Sequence, residues 1–518
     1  MNNLNFKKPF LRLILFALIS GLSAACTDLE PELYSDLTTK NAYNSESDIE
    51  AALTGTYASL NPYPGDAYLY YAGYLMMLTD YNTDIGFSTA AGDPTKHSNF
   101  TYDDNSRYLR LNWQNMYKVI SNANMLLSKI SGIEIEEDKK NEIIAQARFL
   151  RALSYRDLTD SWGAVPLITE PDNPTESDNV PLSSVSEVDA QIIEDCEFAI
   201  SHLPEKWAPE LGISRATKGA ALTLLGKVYM RNHNYEKAKE YIDEVLDLRA
   251  KGVYSLNPDF KDEWSGDNKI DMGLIFGILH EAAQNGGEIT NHFGPQDHPE
   301  IENRWQYYAV SLPFWRKYSE MDPRKEFYYY NYEGASPRDP NTSHGFYYMM
   351  PDIGQTVPPS DTVKLLRNVA TKKYSYEMIS DSYLDGRTIQ IFRLADVILA
   401  KAEIENELNG PSAALPYINE IRTRAGAPAY GESGFSIPTT KDEMVDALVN
   451  ERGYELVFEY KRKADLIRLG KYVEVSNEYL KKRGMQPIVT DNLKYFPYPL
   501  EEARNHKEMS AENSSRIP

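Results

Sequence analysis

Residues 222–245 read LTLLGKVYMRNHNYEKAKEYIDEV, and this stretch decides the fold. Leu222, Leu225, Gly226, Tyr229, Tyr235, Ala238, Ile242 and Val245 stand at the spacings of a tetratricopeptide repeat, two helices joined by a short turn. The pattern is a packing rule. Gly226 and Ala238 are small where two antiparallel helices must approach, and the large residues fill the space between them and toward the next repeat. A weaker copy comes far downstream, with Ile398, Ala402, Ala414, Ile418 and Ile421 at the same spacings and Lys401 and Glu405 departing from it. Two copies so far apart predict a solenoid interrupted by insertions.

Outward from this pair, helical periodicity predicts helices over Ser47–Leu60, Tyr108–Ile130, Asp138–Asp160, Ser186–His202, Arg215–Arg231 and Tyr235–Arg249. It returns over Ile391–Leu408, Ser412–Arg424 and Lys441–Leu469. Ser47 and Glu50 have the spacing of a capping box for the first helix. Between helices lie an aromatic-rich irregular stretch, Asn61–Ser106, and a longer one, 252–390, of short strand-like runs and turns. Loops of that length in a compact protein are usually functional, and their aromatic content argues against disorder. The expected fold is mostly α, with tetratricopeptide-like helix pairs forming an α-α superhelix around a large loop and short-strand insertion.

The N-terminus carries its own instructions. Lys7, Lys8 and Arg12 precede an apolar run, Leu13 to Leu22, followed by Ser23, Ala24, Ala25 and Cys26. This is a signal peptide, too short to span a bilayer, which needs about 20 apolar residues. Cys26 stands where a lipoprotein is cleaved and acylated with palmitate-type chains. The usual Leu three residues before it is here Ser23, with Leu22 one step further out, and the alternative is ordinary cleavage after Ala25. The expected layout is a leader over 1–25, a lipid-anchor tether over 26–40 and one domain over 41–518. Within that domain, repeats occupy about 41–250 and 391–470, and the insertion about 252–390. The other cysteine, Cys196, reads as a small core residue. A formal charge of −22 excludes nucleic acid as a partner and favours neutral ligands. With 37 Tyr and 6 Trp against 8 His, the chain is rich in rings that can face sugars and poor in the commonest acid–base and metal-ligating side chain.

Four blocks of sequence bear a family likeness. Ala147-Arg148-Phe149-Leu150-Arg151-Ala152-Leu153-Ser154-Tyr155, with Asp157-Leu158 and Trp162-Gly163-Ala164-Val165-Pro166-Leu167-Ile168, is the first. Arg393-Leu394-Ala395-Asp396-Val397-Ile398-Leu399 with Ala402-Glu403 is the second. Asn450-Glu451-Arg452, Glu455-Leu456, Phe458-Glu459, Arg462 and Asp465-Leu466-Ile467-Arg468 form the third, and Tyr495-Phe496-Pro497-Tyr498-Pro499 the fourth. In this order they resemble the signature of SusD/RagB outer-membrane proteins. The resemblance implies four tetratricopeptide-like helix pairs and a lipoprotein on the outer face of the outer membrane. It also implies a SusC-like TonB-dependent transporter as partner and an oligosaccharide as ligand. The charged signature residues Arg148, Arg151, Arg393, Asp396, Glu451, Glu455 and Asp465 read as buried ion pairs and helix caps, not as the site.

In that family glycans sit on the loops after the first helix and in the middle insertion. The first region offers Tyr63, Tyr68, Tyr70, Tyr71, Tyr81, Asn82 and Asp84, then Phe87, His97, Phe100 and Tyr102. The second offers His292, Phe293, Asn303, Arg304, Trp305, Tyr307 and Tyr308. Trp305 leads because its flanks are polar, off any core stripe. Tyrosine and tryptophan faces suit the apolar C–H faces of pyranoses, with amide and guanidinium groups for the hydroxyls. The run Tyr328-Tyr329-Tyr330 reads as a strand in core or subunit contact, and Trp113 and Trp162 as packing residues.

No cofactor is expected. An Asp/Asn-rich turn at 101–105 is compatible with a structural Ca²⁺ but does not specify one. Two other functions compete with glycan capture. A helical-repeat adaptor would bind peptide on its concave face. A glycoside hydrolase would need two carboxylates across a bond, for which Asp80 and Asp84 are arbitrary candidates without a motif.

Overall fold

The computed structural model describes residues 43–518 apart from 62–69, 72, 89–91, 172–179, 209–213, 266–270, 281–288, 296–297, 299–305, 335–344, 350–362, 367 and 375–385. The leader, Cys26 and the tether therefore lie outside the described residues. Helix α1 (Glu46–Ala58) is followed by short helices α2 (Leu75–Thr79) and α3 (Asp93–Ser98). Then come α4 (Arg107–Ile130), α5 (Glu137–Trp162), α6 (Val185–His202), α7 (Lys218–Arg231) and α8 (Tyr235–Ala250). Strands β1 (Val165–Pro166) and β2 (Leu182–Ser183) pair in the α5–α6 connection. Successive long helices pack on one another from α4 through α8, as a solenoid requires.

The insertion carries β3 (Leu274–Ile278), α9 (Ile289–Phe293), β4 (Val310–Ser311), α10 (Leu312–Trp315), β5 (Tyr328–Tyr329), β6 (Tyr332–Gly334), β7 (Gly345–Met349), β8 (Val363–Leu366), β9 (Asn368–Thr371) and β10 (Ile389–Arg393). Strand β9 lies between β4 and β5, both antiparallel to it, and β7 pairs antiparallel with β6 and parallel with β8. The first and last strands, β3 and β10, pair antiparallel, with Ile278 opposite Ile389. That pairing closes the base of the insertion. It delivers the chain into α11 (Leu394–Asn409), which packs directly on α8. The solenoid then continues through α12 (Pro411–Arg424), α13 (Lys441–Glu455), α14 (Arg462–Arg468) and α15 (Tyr472–Lys482), ending in α16 (Leu500–Asn505) and α17 (Lys507–Arg516). No helix among the described residues is long and apolar enough to cross a membrane.

The small residues act as expected. A Cβ placed on Gly226 would stand 2.9 Å from both Cγ1 and Cδ1 of Ile242, and Ala238 is fully buried in α8. Thr217 caps α7 and Asn234 caps α8 through their side-chain oxygens. Cys196 is buried in α6. Trp113 and Trp162 meet edge to face at 5.2 Å, and Trp162 Nε1 donates to the Pro497 carbonyl at 3.0 Å. The C-terminal signature block is thus packed on the first one.

Two local expectations are corrected. The cap of α1 is Ser45, whose hydroxyl accepts from the Asp48 N–H, two residues before the expected Ser47. Ser45 has its own acid three residues on, so the sequence offers two equivalent spacings. The single helix expected over Lys441–Leu469 breaks after Glu455, because Phe458 and Tyr460 adopt φ of 56° and 64°. Such angles are costly for aromatic residues, and here buried charge holds the turn. Arg393 donates to Glu455 Oε1 (2.8 Å), the Glu455 carbonyl (2.8 Å) and Glu459 Oε2 (2.7 Å), while Lys373 reaches the carbonyls of Glu455 and Val457.

The other signature charges are also in ion pairs. Arg151 is bidentate to Asp195, Arg452 bridges Asp396 and Asp465, and Glu451 takes Arg324 and Arg422.

Two glycines separate helix propensity from helix contact. Gly55, exposed in α1 with nothing within 4 Å of an added Cβ, should gain up to about 1 kcal/mol as Gly55→Ala. Gly226→Val should instead lose about 1–3 kcal/mol through overpacking against Ile242. Urea unfolding of both variants against the parent checks the pair, and equal shifts would contradict the close α7–α8 approach.

Candidate functional site

The two aromatic regions singled out in the sequence meet in space. Tyr81, fully buried, donates its hydroxyl to the Tyr307 carbonyl (2.8 Å) and accepts from the Ala309 N–H (2.9 Å). Beside it the segment 306–311 pairs with 85–87, through Phe87 N–H to the Ala309 carbonyl and Ser311 N–H to the Ile85 carbonyl. Gly86 is required in this seam, since its Cβ would fall 2.7 Å from the Tyr81 Cα. The loop after α1 and the middle insertion, more than 200 residues apart, thereby form one surface.

Most of the candidate rings are interior to that surface. Tyr81, Asn82, Phe293 and Tyr308 each have 0% exposure. Phe293 packs against Tyr308, Tyr374 and Phe458, and Asn82 accepts from the Tyr472 hydroxyl at 2.6 Å. These four hold the loops together and have no face to give a sugar. Tyr70 and Tyr71 are buried with both hydroxyls on Asp157. Phe87, His97, Phe100 and Tyr102 are buried as well. The physical reason is general. Segments without long helices must build their own core, and aromatic rings supply the area.

Tyr307 is different. It is half-buried, with its hydroxyl 2.8 Å from that of Tyr108. Burial raises its phenol above the ordinary value, so it is neutral at pH 7. Around it lie half-buried Gln306, whose amide donates to Asn368, and half-buried His292, 5.7 Å away ring to ring. Burial presses His292 down to about 4, leaving an uncharged imidazole. On the α4 side, exposed Arg107 sits 5.5 Å over the Tyr74 ring, and its N–H donates to Asp93 at 2.8 Å. This rim combines a ring face with guanidinium, carboxylate and amide groups, the chemistry that hydroxyl-rich neutral ligands use. Arg107, Asp93 and Tyr74 were not anticipated, because only the tertiary contact Tyr108–Tyr307 brings them to the insertion. Asn303, Arg304, Trp305, Tyr63 and Tyr68 lie outside the described residues, although 299–305 leads directly into Gln306.

The carboxylates Asp80 and Asp84 are 0% and 1% exposed. Asp84 is clasped by Arg462 at 2.8 and 3.0 Å and by Lys317 at 2.9 Å, which overcome burial and hold it below the usual carboxylate range. Neither can reach a glycosidic bond. In the 101–105 turn, Asp103 pairs with Lys96 and Asp104 accepts from Asn513. Among the described residues no three His, Cys, Asp or Glu side chains converge as metal ligands.

Comparison with known proteins agrees along the chain. The family described as "SusD family" matches residues 278–514, and the one described as "Starch-binding associating with outer membrane" matches 29–230. The SusD-like protein P2 of Formosa agariphila is 27% identical over 501 residues, covering 92% of this chain and 93% of the relative. Among solved structures, a laminarin binding SusD-like protein superposes with a TM-score of 0.69 at 23% identity, covering 90% of this chain and 98% of that one. A SusD-like carbohydrate binding protein from Bacteroides fragilis gives 0.73 at 21% identity, with coverage of 90% and 99%. Surface glycan-binding protein A from Bacteroides thetaiotaomicron, in complex with laminarihexaose, gives 0.71 at 19%, again covering 90% and 99%.

Asp80 makes the seam pH-sensitive. Burial raises its carboxyl to about 7, against the Thr79 hydroxyl and Lys461, which lower it. The unfolded chain ionises near pH 4, so the folded state holds the extra proton and stability falls as pH rises from about 4 to 7. Asp80→Asn should therefore gain in urea midpoint over the parent across that window and show little advantage below it. A pH-independent difference would contradict the buried, proton-holding Asp80.

Proposed function

Because the chain belongs to the SusD family, we propose that it is a cell-surface lipoprotein that captures an oligosaccharide and passes it to a SusC-like TonB-dependent transporter. It is a binding protein, not an enzyme. The observation that carries the glycan reading is the Tyr81–Tyr307–Tyr108 seam, which joins the two loop regions and leaves the half-buried Tyr307 ring beside Arg107, Asp93 and Gln306. Trp305, two residues away in sequence, is the stacking platform in this reading. At this rim the strongly acidic chain disfavours anionic glycans.

Anchorage follows from the leader. Residues 1–25 are removed, Cys26 is acylated, 26–40 forms the tether, and 41–518 stands outside the outer membrane as one domain. Multiple acyl chains hold a protein firmly, at about 0.8 kcal/mol per buried methylene. There it acts as a lid over the transporter, closing on a ligand that touches both.

Laminarihexaose, named for a structural neighbour, is the first ligand to test, with other neutral oligosaccharides beside it. Calorimetry on the full chain in detergent should give saturable binding to at least one of them. Trp305→Ala and Tyr307→Ala should each weaken it at least about tenfold, or about 1.4 kcal/mol. Unchanged affinity in both variants, or binding to peptides alone, sinks the reading.

Cys26→Ala should release the protein from the membrane fraction and abolish labelling by an alkyne-tagged fatty acid. Retention with undiminished labelling would refute the anchor.

A further inference from the structure

A cavity of about 150 Å³, room for several waters, lies between α5, α7 and α14 and shares no lining residue with the Tyr307 rim. Arg156, Lys227, Arg231, Lys461 and Arg468 line it, with only Asp160 and Asp465 as acids. Cations therefore outnumber acids in the lining itself, although acids behind the wall pair with most of them. Exposed His233 and half-buried Tyr495 and Arg231 form its border with solvent.

Arg231 donates to Asp160 (2.6 Å) and the Thr159 hydroxyl (2.8 Å) and pairs with Asp189. Arg468 is bidentate to Glu403, and Lys227 holds both oxygens of Asp396. Lys461 donates to the Ile391 carbonyl and makes no ion pair among the described residues. Three buried donor nitrogens around the cavity are left without a hydrogen bond. They are Arg156 Nε, 3.0 Å from Asp157 but not aligned to it, Arg231 Nε, and Arg452 Nη1 behind Asp465. Asp465 accepts on both oxygens, whereas Asp160 Oδ2 has only Arg156 near it, at 3.7 Å. Water or an oxyanion could take these donors, but only the oxyanion would also give Lys461 a charge partner. A ligand rich in acceptors and negatively charged suits these groups. Burial also presses Lys227 down to about 8 despite Asp396, as expected of a cation crowded by others. Tyr460, in the strained turn, completes the wall.

We propose that this cavity is a binding site for a small oxyanion, held by Arg156, Arg231 and Lys461. The shared chemistry is a compact anionic group of several acceptor oxygens. It is met by free phosphate or sulfate and by the carboxylate of an acidic monosaccharide. Guanidinium groups match such oxygens in geometry as well as charge.

Calorimetric titration of the full chain with inorganic phosphate, sulfate and glucuronate, each against sodium chloride at equal ionic strength, tests it. One saturable site for at least one of the three is expected, and their ranking separates a free inorganic ion from a sugar acid. Arg231→Gln should weaken binding at least tenfold, while Arg110→Gln, on the surface of α4, should leave it unchanged. Should Arg231→Gln fail to fold, Arg231→Lys keeps the charge and removes the guanidinium, with the same loss expected. Absence of saturable binding to all three anions overturns the proposal, as does undiminished affinity in a folded Arg231 variant.

Discussion

The structure depends on one buried guanidinium. Arg393 ends β10 and precedes α11, and it holds Glu455 and Glu459 at 2.7–2.9 Å with Glu263 at 3.3 Å. Those acids come from three places. Glu263 belongs to the start of the insertion, Glu455 to the end of α13, and Glu459 to the strained turn before α14. Arg424 and Arg324 converge on Glu455 from α12 and from the insertion. The insertion is thus fixed to the solenoid by charge at the point where the chain re-enters it.

Buried ion pairs are poor sources of net stability, because each charge gives up its water. Losing one partner is another matter, at about 3–5 kcal/mol, since the remaining charge stays buried and alone. Such a network therefore acts mainly to specify. Arg324 and Lys373 can enter only in the register that meets Glu451 and Glu459, and that register sets where β4, β9 and the seam at Tyr81 lie. The half-buried Tyr307 is a consequence of charge pairing well away from it.

The same logic governs the acidic groups of the loops. Asp84 is held ionised by Arg462 and Lys317, whereas burial leaves Asp80 protonated up to about pH 7. Asp157 receives both Tyr70 and Tyr71. Carboxylates that might have suggested chemistry are instead fasteners of irregular backbone. The cavity between α5 and α14 is the exception, where cations outnumber acids in the lining and buried guanidinium nitrogens lack hydrogen bonds.

Residues 222–245 by themselves determined the helix pair, because contacts at spacings of three and four residues are local and Gly226 has no other purpose at that position. The downstream copy at 398–421, though weaker, and the charged signature blocks were also legible, and their place in the solenoid and in ion pairs followed. The break at Phe458–Tyr460 was not, since periodicity runs through it and only the distant Arg393 and Lys373 impose it. Nor could the sequence sort its rings. Tyr307 and Tyr308 are neighbours in a segment of identical character, yet one is half-buried and the other fully buried. Which of them turns outward is decided by Tyr81 and Tyr108, more than 190 residues away, because burial in an irregular segment is a property of its partners and not of its period.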